Sequence, residues 1–299
     1  MSSHSEIADR SEPADFAFHD LLEEADRGLV YDLSTLIDRR QVLKLGGLTT
    51  ISAGLMSIVG CAPGTLPSTT PTSAATASAA GSSSGDASCA VIPEETAGPF
   101  PGDGSNGPDV LSQSGIVRRD IRSSFGTSTT TAPGVPLTIN LTVQDAANDC
   151  APLQGAAVYL WHCDRGGNYS LYSQAAASEN YLRGVQPTDG AGLVTFESIY
   201  PACYSGRWPH IHFEVYPNLE AATDEANKIA TSQIALPKEA SDLVYATEGY
   251  GQSVANLGQV SLTSDNVFRD DGAVHELGTV TGDIGSGMTV ALVVPVAAS

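Results

Sequence analysis

Apolar and polar residues alternate in several short segments of the second half of the chain. In VPLTINLTV the alternation puts Leu137, Ile139, Leu141 and Val143 on one face of a predicted strand, with Thr and Asn on the other. Further strands are predicted at GAAVYLWHC, GLVTFESIY, HIHFEVYP and MTVALVVPV, whereas LEAATDEANKIA could form a short helix. Short strands between Gly- and Pro-rich turns favour one all-β domain of about 200 residues, a sandwich or barrel.

A different pattern precedes the strands. Residues 1–37 are polar and acidic, and Arg39 and Arg40 then lead into the apolar stretch LGGLTTISAGLMSIVG, which ends just before Cys61. This stretch is shorter than the roughly 20 residues that span a bilayer. A basic pair before a short apolar run predicts a signal peptide for twin-arginine export. IVGC resembles a lipobox, so Cys61 is a candidate for lipidation; the alternative is an incidental thiol in a discarded signal peptide.

Residues 62–88 consist almost entirely of Ala, Ser, Thr, Gly and Pro. Such a segment cannot bury enough apolar surface to offset the entropy lost on ordering. We therefore predict an export region at 1–61, a flexible linker at 62–88 and a folded domain at 89–299. The domain would be extracellular, or tethered to the outer face of a membrane through Cys61.

Charge and cysteine content narrow the partners and the covalent structure. A net charge of −20 argues against binding to nucleic acid or anionic lipid, because no basic surface is available to neutralise phosphates. The predicted domain contains four cysteines, and an even number in an exported chain favours two disulfides. Spacing alone leaves three pairings open, and four buried free thiols are the alternative; the cysteines are Cys89, Cys150, Cys163 and Cys203.

The segment GRWPHIHFEV carries two histidines two residues apart. Residues i and i+2 of a strand share a face, so His210 and His212 would project together, while Ile211, Phe213 and Val215 face a core. Paired imidazoles can chelate a metal. Two partly exposed polar residues on a strand face would give the same pattern, so the pair by itself is weak evidence.

Two tyrosines near this strand extend the candidate site. Tyr204 lies in PACYSGR, on the loop that leads into the strand, and Tyr169 lies in HCDRGGNYS, after an earlier strand. A trivalent cation can deprotonate a phenol by direct coordination, and phenolate is a hard anionic ligand that suits iron(III). The alternative for each tyrosine is ordinary packing with a hydrogen-bonded hydroxyl.

The combination of GNYS with a downstream Y-x-x-R-x-x-H-x-H resembles the intradiol ring-cleavage dioxygenases, a family that includes catechol and protocatechuate dioxygenases. Four more segments are similar to family motifs in the same order: IPEETAGPF, VRRDIR, CAPLQGAAVYLWHCD and YLRGVQPTDGAGLVTFESIYP. The similarity is dense from Cys89 to Gln233 and is greatest to secreted, single-domain bacterial members. TAGPF departs from the family's TEGPF or TEGPY, which leaves the detail of the substrate pocket open.

The resemblance implies a β-sandwich with iron(III) at one edge, held by Tyr169, Tyr204, His210 and His212. Tyr204 would be the axial ligand that substrate releases. Arg207 would stabilise negative charge on the substrate ring, or alternatively form a structural salt bridge. Gln233 would hydrogen-bond near the reacting centre, and the pocket would be lined by Gly98, Pro99 and Phe100. His162 is expected to serve strand packing, and Arg183 is a second cation that could lie near a substrate carboxylate.

The activity implied by the resemblance is cleavage of catechol-type rings by O2 to give cis,cis-muconate-type products. Family members with the first two cysteines make Cys89–Cys150 the preferred disulfide, which leaves Cys163–Cys203 as the second. Two alternatives of other classes stay open. One is a tethered, non-catalytic β-sandwich that binds a partner; the other is a zinc or copper enzyme that uses the H-x-H pair.

Overall fold

The structure, a computed structural model, describes residues 89–298. The predicted export region and linker, with Cys61, lie outside the described residues. Within residues 89–298 no helix is both long enough and apolar enough to cross a bilayer. The elements of this range are β1 (Pro136–Asp145), β2 (Ala151–Pro152), β3 (Ala157–Trp161), β4 (Arg183–Pro187), β5 (Leu193–Ile199), β6 (His210–Tyr216), β7 (Ala230–Ala235), α1 (Lys238–Tyr245), α2 (Gly251–Leu257), β8 (Thr279–Asp283) and β9 (Gly287–Val296).

The larger sheet has the strand order β2-β1-β9-β8, with β5 also paired to β1. β1 runs parallel to β9 and antiparallel to β5. The predicted alternation in β1 is confirmed, because Leu137, Ile139, Leu141 and Val143 are all buried. Their β-branched and leucine side chains form one wall of the core between the two sheets.

The smaller sheet has the order β4-β3-β6-β7, and every pair in it is antiparallel. All seven residues of β6 are buried, because each face of this strand is covered. Ile211, Phe213 and Val215 point into the core between the sheets, as predicted. The opposite face lies under the segments around residues 97–125 and a second apolar cluster that contains Trp161. The two packed sheets make the all-β sandwich that the sequence predicted.

Some elements differ from the sequence predictions. LEAATDEANKIA does not form one helix; it contains two 3-10 turns, Ala221–Thr223 and Glu225–Asn227, and the Asp224 side chain caps the second by accepting from the Ala226 N–H. The short helices α1 and α2 were not predicted. Each spans about two turns, too few for a helical period to stand out, and α1 is stabilised by burying Val244 in the inter-sheet core.

One of the two predicted disulfides is formed. Cys89 and Cys150 are bridged, with their Cα atoms 5.8 Å apart. The predicted Cys163–Cys203 bridge is wrong, because both residues are free, buried thiols. Each sulfur faces a main-chain carbonyl: Cys163 Sγ lies 3.7 Å from the Ala202 oxygen, and Cys203 Sγ lies 3.4 Å from the Arg207 oxygen.

Candidate metal centre

The two histidines of β6 lie side by side on the face of the smaller sheet that is turned away from the larger one. His210 and His212 are 2% and 3% exposed. Their Nε2 atoms are 3.1 Å apart, and the rings are nearly perpendicular. The alternation of the strand therefore produces the predicted pair. The alternative of two partly exposed polar residues is wrong.

Both predicted tyrosines reach this pair. The Tyr204 hydroxyl lies 3.1 Å from His210 Nε2, and the Tyr169 hydroxyl lies 3.4 Å from the same nitrogen. Tyr169 is positioned by a loop that Asp164 closes, since its carboxylate accepts the main-chain N–H groups of residues 166 and 168. Two phenol oxygens and two imidazole nitrogens thus converge within a few ångströms of one point.

The two imidazoles are oriented by different contacts. His210 donates its Nδ1–H to the Trp208 carbonyl at 2.6 Å. This bond leaves the Nε2 lone pair facing the tyrosines; metal-binding histidines are commonly oriented in this way, by a hydrogen bond from the other ring nitrogen. The imidazole of His212 is stacked on the indole of Trp161. Its Nδ1 is buried and has no hydrogen-bond partner among the described residues.

Burial keeps all four groups uncharged in the absence of a cation. It lowers the pKa of His210 well below the usual value, and the Arg207 charge lowers it further. Burial, and then the neighbouring His210, does the same to the pKa of His212. Burial raises the pKa of Tyr204 to about 12 and that of Tyr169 well above its ordinary value. The site therefore presents lone pairs rather than protonated imidazoles.

This donor set fits a trivalent ion. Neutral imidazoles are good metal ligands, and a trivalent charge favours the phenolate form that burial alone disfavours. Residues 89–298 contain no group of three or more His, Cys, Asp or Glu side chains arranged to hold a metal. A metal bound by His210 and His212 would therefore need donors of another kind, and the Tyr169 and Tyr204 hydroxyls are two that reach this pair. That requirement favours iron(III) over zinc, whose protein ligands are mainly Cys, His and carboxylates.

Arg207 and Gln233 lie beside the four ligand candidates. Arg207 Nη1 is 3.4 Å from His210 Nε2, and Nη2 donates to Gln233 Oε1 at 2.6 Å. Gln233 is the β7 partner of His212 in register, and its amide donates to the Thr96 carbonyl. Arg207 also forms a buried ion pair with Asp265, so the structural salt bridge and the position at the site are both present.

Asp265 was not predicted as a site residue. It is separated from Arg207 by 58 positions and is one of 34 acidic residues in the chain. No local sequence pattern identifies Asp265, because its contact with Arg207 forms only when the segment after α2 folds back against the loop before β6. Only the contact itself identifies Asp265.

The predicted pocket residues lie over the histidine face. Gly98 has a φ of 69°, and a Cβ there would stand 3.4 Å from His212 Cε1, so a glycine suits both its backbone and the close approach. The Phe100 ring is 4.9 Å from the Tyr169 ring. Between them, the Pro99 carbonyl accepts from Asn106 Nδ2 at 2.7 Å.

Arg183 does not offer a free cation for a substrate. Its buried guanidinium donates to the carbonyls of Phe100, Pro101 and Ser170, and to the hydroxyls of Ser170 and Tyr159. It therefore joins the segment over the pocket to the loop of Tyr169. His162 is buried elsewhere, bonded through Nδ1 to the Cys163 carbonyl and through Nε2 to Ser198 Oγ, as expected for a packing residue.

Comparisons with known proteins identify the class. A family model described as Dioxygenase matches residues 106–221, a range that includes the four ligand candidates. A chlorocatechol 1,2-dioxygenase of Rhodococcus opacus is 36% identical over 73 residues, which are 24% of this chain and 27% of that protein. A catechol 1,2-dioxygenase of Acinetobacter lwoffii is 37% identical over 57 residues, 19% and 20% of the two chains. The chain thus matches about a quarter or less of these relatives.

A solved structure extends the likeness to the whole domain. An intradiol ring-cleavage dioxygenase from Tetranychus urticae aligns with a TM-score of 0.54 at 23% identity, over 70% of this chain and 94% of that one. At this identity the alignment establishes a shared β-sandwich fold. Fold and matched segments define a dioxygenase-type domain. Residues 106–221 match the Dioxygenase family, and the two relatives and the structural neighbour are catechol and intradiol ring-cleavage dioxygenases.

Proposed function

We propose that this protein is a non-haem iron(III) dioxygenase that cleaves the ring of catechol-type aromatics with O2 to give cis,cis-muconate-type products. The observation that carries the proposal is the convergence of the Tyr169 and Tyr204 hydroxyls and His212 Nε2 within 3.4 Å of His210 Nε2. The family match supports it, because the four donors occupy the positions that match the family's ligand motif.

Tyr169, Tyr204, His210 and His212 would hold the iron. When bound there, iron(III) would supply Lewis-acid chemistry to a catechol in the pocket. Its charge would also stabilise both tyrosines as phenolates despite their burial.

The protein's own groups would then handle protons and charge. Tyr204 is the less buried of the two tyrosines, so its Oη is the better placed to accept a proton from an arriving catechol hydroxyl. The Arg207 guanidinium, 3.4 Å from His210 Nε2, would stabilise negative charge that develops on the ring. A fixed charge in a water-poor site is effective because it needs no reorganisation during the reaction.

Substrate would enter beneath the segment that contains Gly98 and Phe100. A glycine at position 98 keeps a side chain away from the His212 imidazole on this side. Phe100 packs against Tyr169 and Tyr172 and supplies an apolar wall for an aromatic ring. We propose a catechol and O2 as the partners of this pocket.

We also propose that the protein is exported by the twin-arginine route and acts outside the cytoplasm. The support is the Arg39–Arg40 pair and the apolar stretch that follows it. The sequence IVGC supports a lipid anchor at Cys61, with residues 62–88 as the tether. Globomycin treatment, which blocks lipoprotein signal processing, should cause an unprocessed precursor to accumulate; unchanged processing would contradict the anchor.

Iron loading with visible spectroscopy tests the central proposal. The purified protein should bind one iron(III) and show a wine-red phenolate-to-iron charge-transfer band, and it should consume O2 with catechol. Tyr204→Phe should shift the band and abolish turnover. Tyr245→Phe is the matched control, because that hydroxyl donates to the Pro201 carbonyl and not into the site. An unchanged band and rate in Tyr204→Phe would contradict the ligand assignment.

The same preparation separates the alternatives. A colourless protein that stays inactive after iron loading would favour a non-catalytic binding module. Stoichiometric zinc or copper would favour another metalloenzyme built on the H-x-H pair.

A further inference from the structure

We infer that Asp265 is a positioning residue for the reaction: it fixes the Arg207 guanidinium against the ligand candidates. The inference rests on the proposed function, because Arg207 matters for catalysis only if ring cleavage occurs here. Asp265 lies in the segment between α2 and β8, well after the part of the chain that the family model matches. Its side chain is fully buried.

Each carboxylate oxygen of Asp265 accepts two hydrogen bonds. Oδ2 accepts from Arg207 Nε at 3.0 Å and from the Trp208 N–H at 2.6 Å. Oδ1 accepts from the N–H groups of Val267 and Phe268 at 2.8 and 3.2 Å. The two main-chain bonds on Oδ1 hold the carboxylate itself in place. Oδ2 is therefore held in one position, and it fixes the Arg207 side chain and the Trp208 N–H that bond to it.

The bonds to Asp265 and Gln233 hold Arg207 from two sides. Nε is bonded to Asp265, Nη2 is bonded to Gln233 Oε1, and Nη1 is left 3.4 Å from His210 Nε2. A guanidinium is planar, so fixing two of its nitrogens fixes the direction of the third. Without Asp265 no anionic partner would hold the guanidinium among the described residues; the neutral amide of Gln233 and the Phe268 ring, 5.9 Å from the guanidinium carbon, would remain, and the positive charge could turn away from the reacting ring.

The same carboxylate oxygen also steadies a ligand candidate. It accepts from the Trp208 N–H, and the Trp208 carbonyl accepts from His210 Nδ1–H. One buried carboxylate thus orients both the charge-stabilising arginine and the peptide that sets the His210 tautomer.

A double-mutant cycle separates positioning from a purely structural role. The variants are Asp265→Asn, Arg207→Ala and the double variant, each made in the full-length, iron-loaded protein. Asp265→Asn keeps the size and one acceptor oxygen but removes the charge. We expect it to lower kcat for catechol at least tenfold while KM changes less than threefold. On the Arg207→Ala background the same change should lower kcat less than threefold, because the retained acceptor oxygen can still take the Trp208 N–H bond and the remaining effect acts through Arg207. Equal losses on both backgrounds, or a wild-type kcat in Asp265→Asn, would overturn the inference.

Glu276→Gln is the matched control for loss of a buried carboxyl group. Glu276 is fully buried in the same part of the chain, and no hydrogen bond joins it to Arg207 in the described residues. It should leave kcat within twofold of wild type. A tenfold loss in this control would show that any buried acid here affects turnover, and would overturn the assignment to Asp265.

A readout that does not depend on turnover completes the test. In the full chain, free of metal or loaded with diamagnetic gallium(III), the Arg207 Nε–H should give a nuclear magnetic resonance signal protected from solvent exchange. Asp265→Asn should abolish that protection, and unchanged protection would overturn the inference. A wild-type protein that leaves catechols intact would overturn the proposed function; this signal would still show whether Asp265 positions Arg207.

Asp265→Glu keeps the inference testable where Asp265→Asn does not fold. It retains the charge but moves the carboxylate by one methylene. We expect a folded protein with at least a fivefold lower kcat and a nearly unchanged KM. A folded Asp265→Glu with wild-type kcat would overturn the inference.

Discussion

The indole of Trp161 lies parallel to the imidazole of His212, with 5.0 Å between ring centroids and 6° between the planes. The two residues are register partners on β3 and β6. The ring of Tyr159 stacks on the indole in turn, at 4.9 Å. Since His212 Nδ1 has no hydrogen-bond partner in the described residues, ring packing, with this stack as its most nearly parallel contact, holds the orientation of the imidazole.

Trp161→Leu is therefore expected to weaken iron binding. The loss of an orienting contact around a metal ligand typically lowers affinity about 10–100-fold, and we expect a value at the lower end because three other ligands remain. Competition with a chelator, followed through the visible band, measures the change. Trp161→Phe keeps an aromatic ring against His212 and should bind iron within threefold of wild type. Equal affinity in Trp161→Leu and wild type would contradict the role of the stack.

Arg183 should stabilise the pocket without touching substrate. Removing its guanidinium in Arg183→Met would leave the carbonyls of Phe100 and Ser170 without their donor, while the Pro101 carbonyl would keep the Tyr159 hydroxyl. Each carbonyl left without a donor costs about 1–3 kcal/mol, so we expect a loss of at least about 2 kcal/mol in the free energy of unfolding. KM for catechol should also rise, because the segment over the pocket loses its anchor. Urea unfolding and steady-state kinetics measure the two effects.

Arg119→Lys is the control for this substitution. Arg119 pairs with Glu197 at the surface, where both side chains are well exposed. Exposed ion pairs contribute about 0–1 kcal/mol, so stability and KM should stay near wild type. If the Arg183→Met variant proved as stable as the Arg119→Lys variant, the hydrogen bonds of Arg183 would contribute little.

The sequence predicts those site residues whose relative positions depend only on near neighbours in the chain. Strand alternation is enough to put His210 and His212 on one face, since it depends only on residues two apart. Tyr169 and Tyr204 lie on loops, and their approach to the histidines depends on how β3 and β6 pair. No local pattern contains that information, so only the family motif pointed to the tyrosines.

The unpredicted role of Asp265 and the wrong Cys163–Cys203 pairing have the same physical origin. Asp265 reaches Arg207 through packing between distant segments, which spacing in the sequence does not encode. The expected pairing of Cys163 with Cys203 follows from the even number of cysteines once the family resemblance has paired Cys89 with Cys150, and this argument ignores where the sulfurs point. In the fold each sulfur faces a carbonyl, and the thiols are buried.

Glu276 should make the protein less stable at alkaline pH. Burial, and then the charge of Glu95, raises its pKa from an ordinary 4.5 to about 9. Between these values the folded state binds more protons than the unfolded state, so the free energy of unfolding falls as pH rises. Each pH unit in this window removes at most about 1.4 kcal/mol. Thermal unfolding at pH 5, 7 and 9 measures the slope.

Glu276→Gln should flatten this dependence and unfold at a higher temperature than wild type at pH 9. Some slope should remain, because burial also raises the pKa of Glu214 to about 8. Glu248→Gln is the control at an exposed position and should reproduce the wild-type curve. A Glu276→Gln curve that follows wild type over the whole range would contradict a buried, proton-binding Glu276.

The Cys89–Cys150 bridge should account for a measurable share of stability. It joins residues 61 positions apart and ties the start of the described domain to the end of β1 and its turn. Closing a loop of this length lowers the entropy of the unfolded chain by an amount worth about 4 kcal/mol in the chain-entropy model. Cys89→Ser/Cys150→Ser should therefore unfold at lower urea concentration, with iron binding retained because the bridge does not contact the four ligand candidates. Cys163→Ser is the matched control for loss of a sulfur without loss of a cross-link.

Non-reducing peptide mapping checks the connectivity: Cys89 should be linked to Cys150, while Cys163 and Cys203 should react with alkylating reagent only after unfolding. A linked Cys163–Cys203 peptide would contradict the pairing described here.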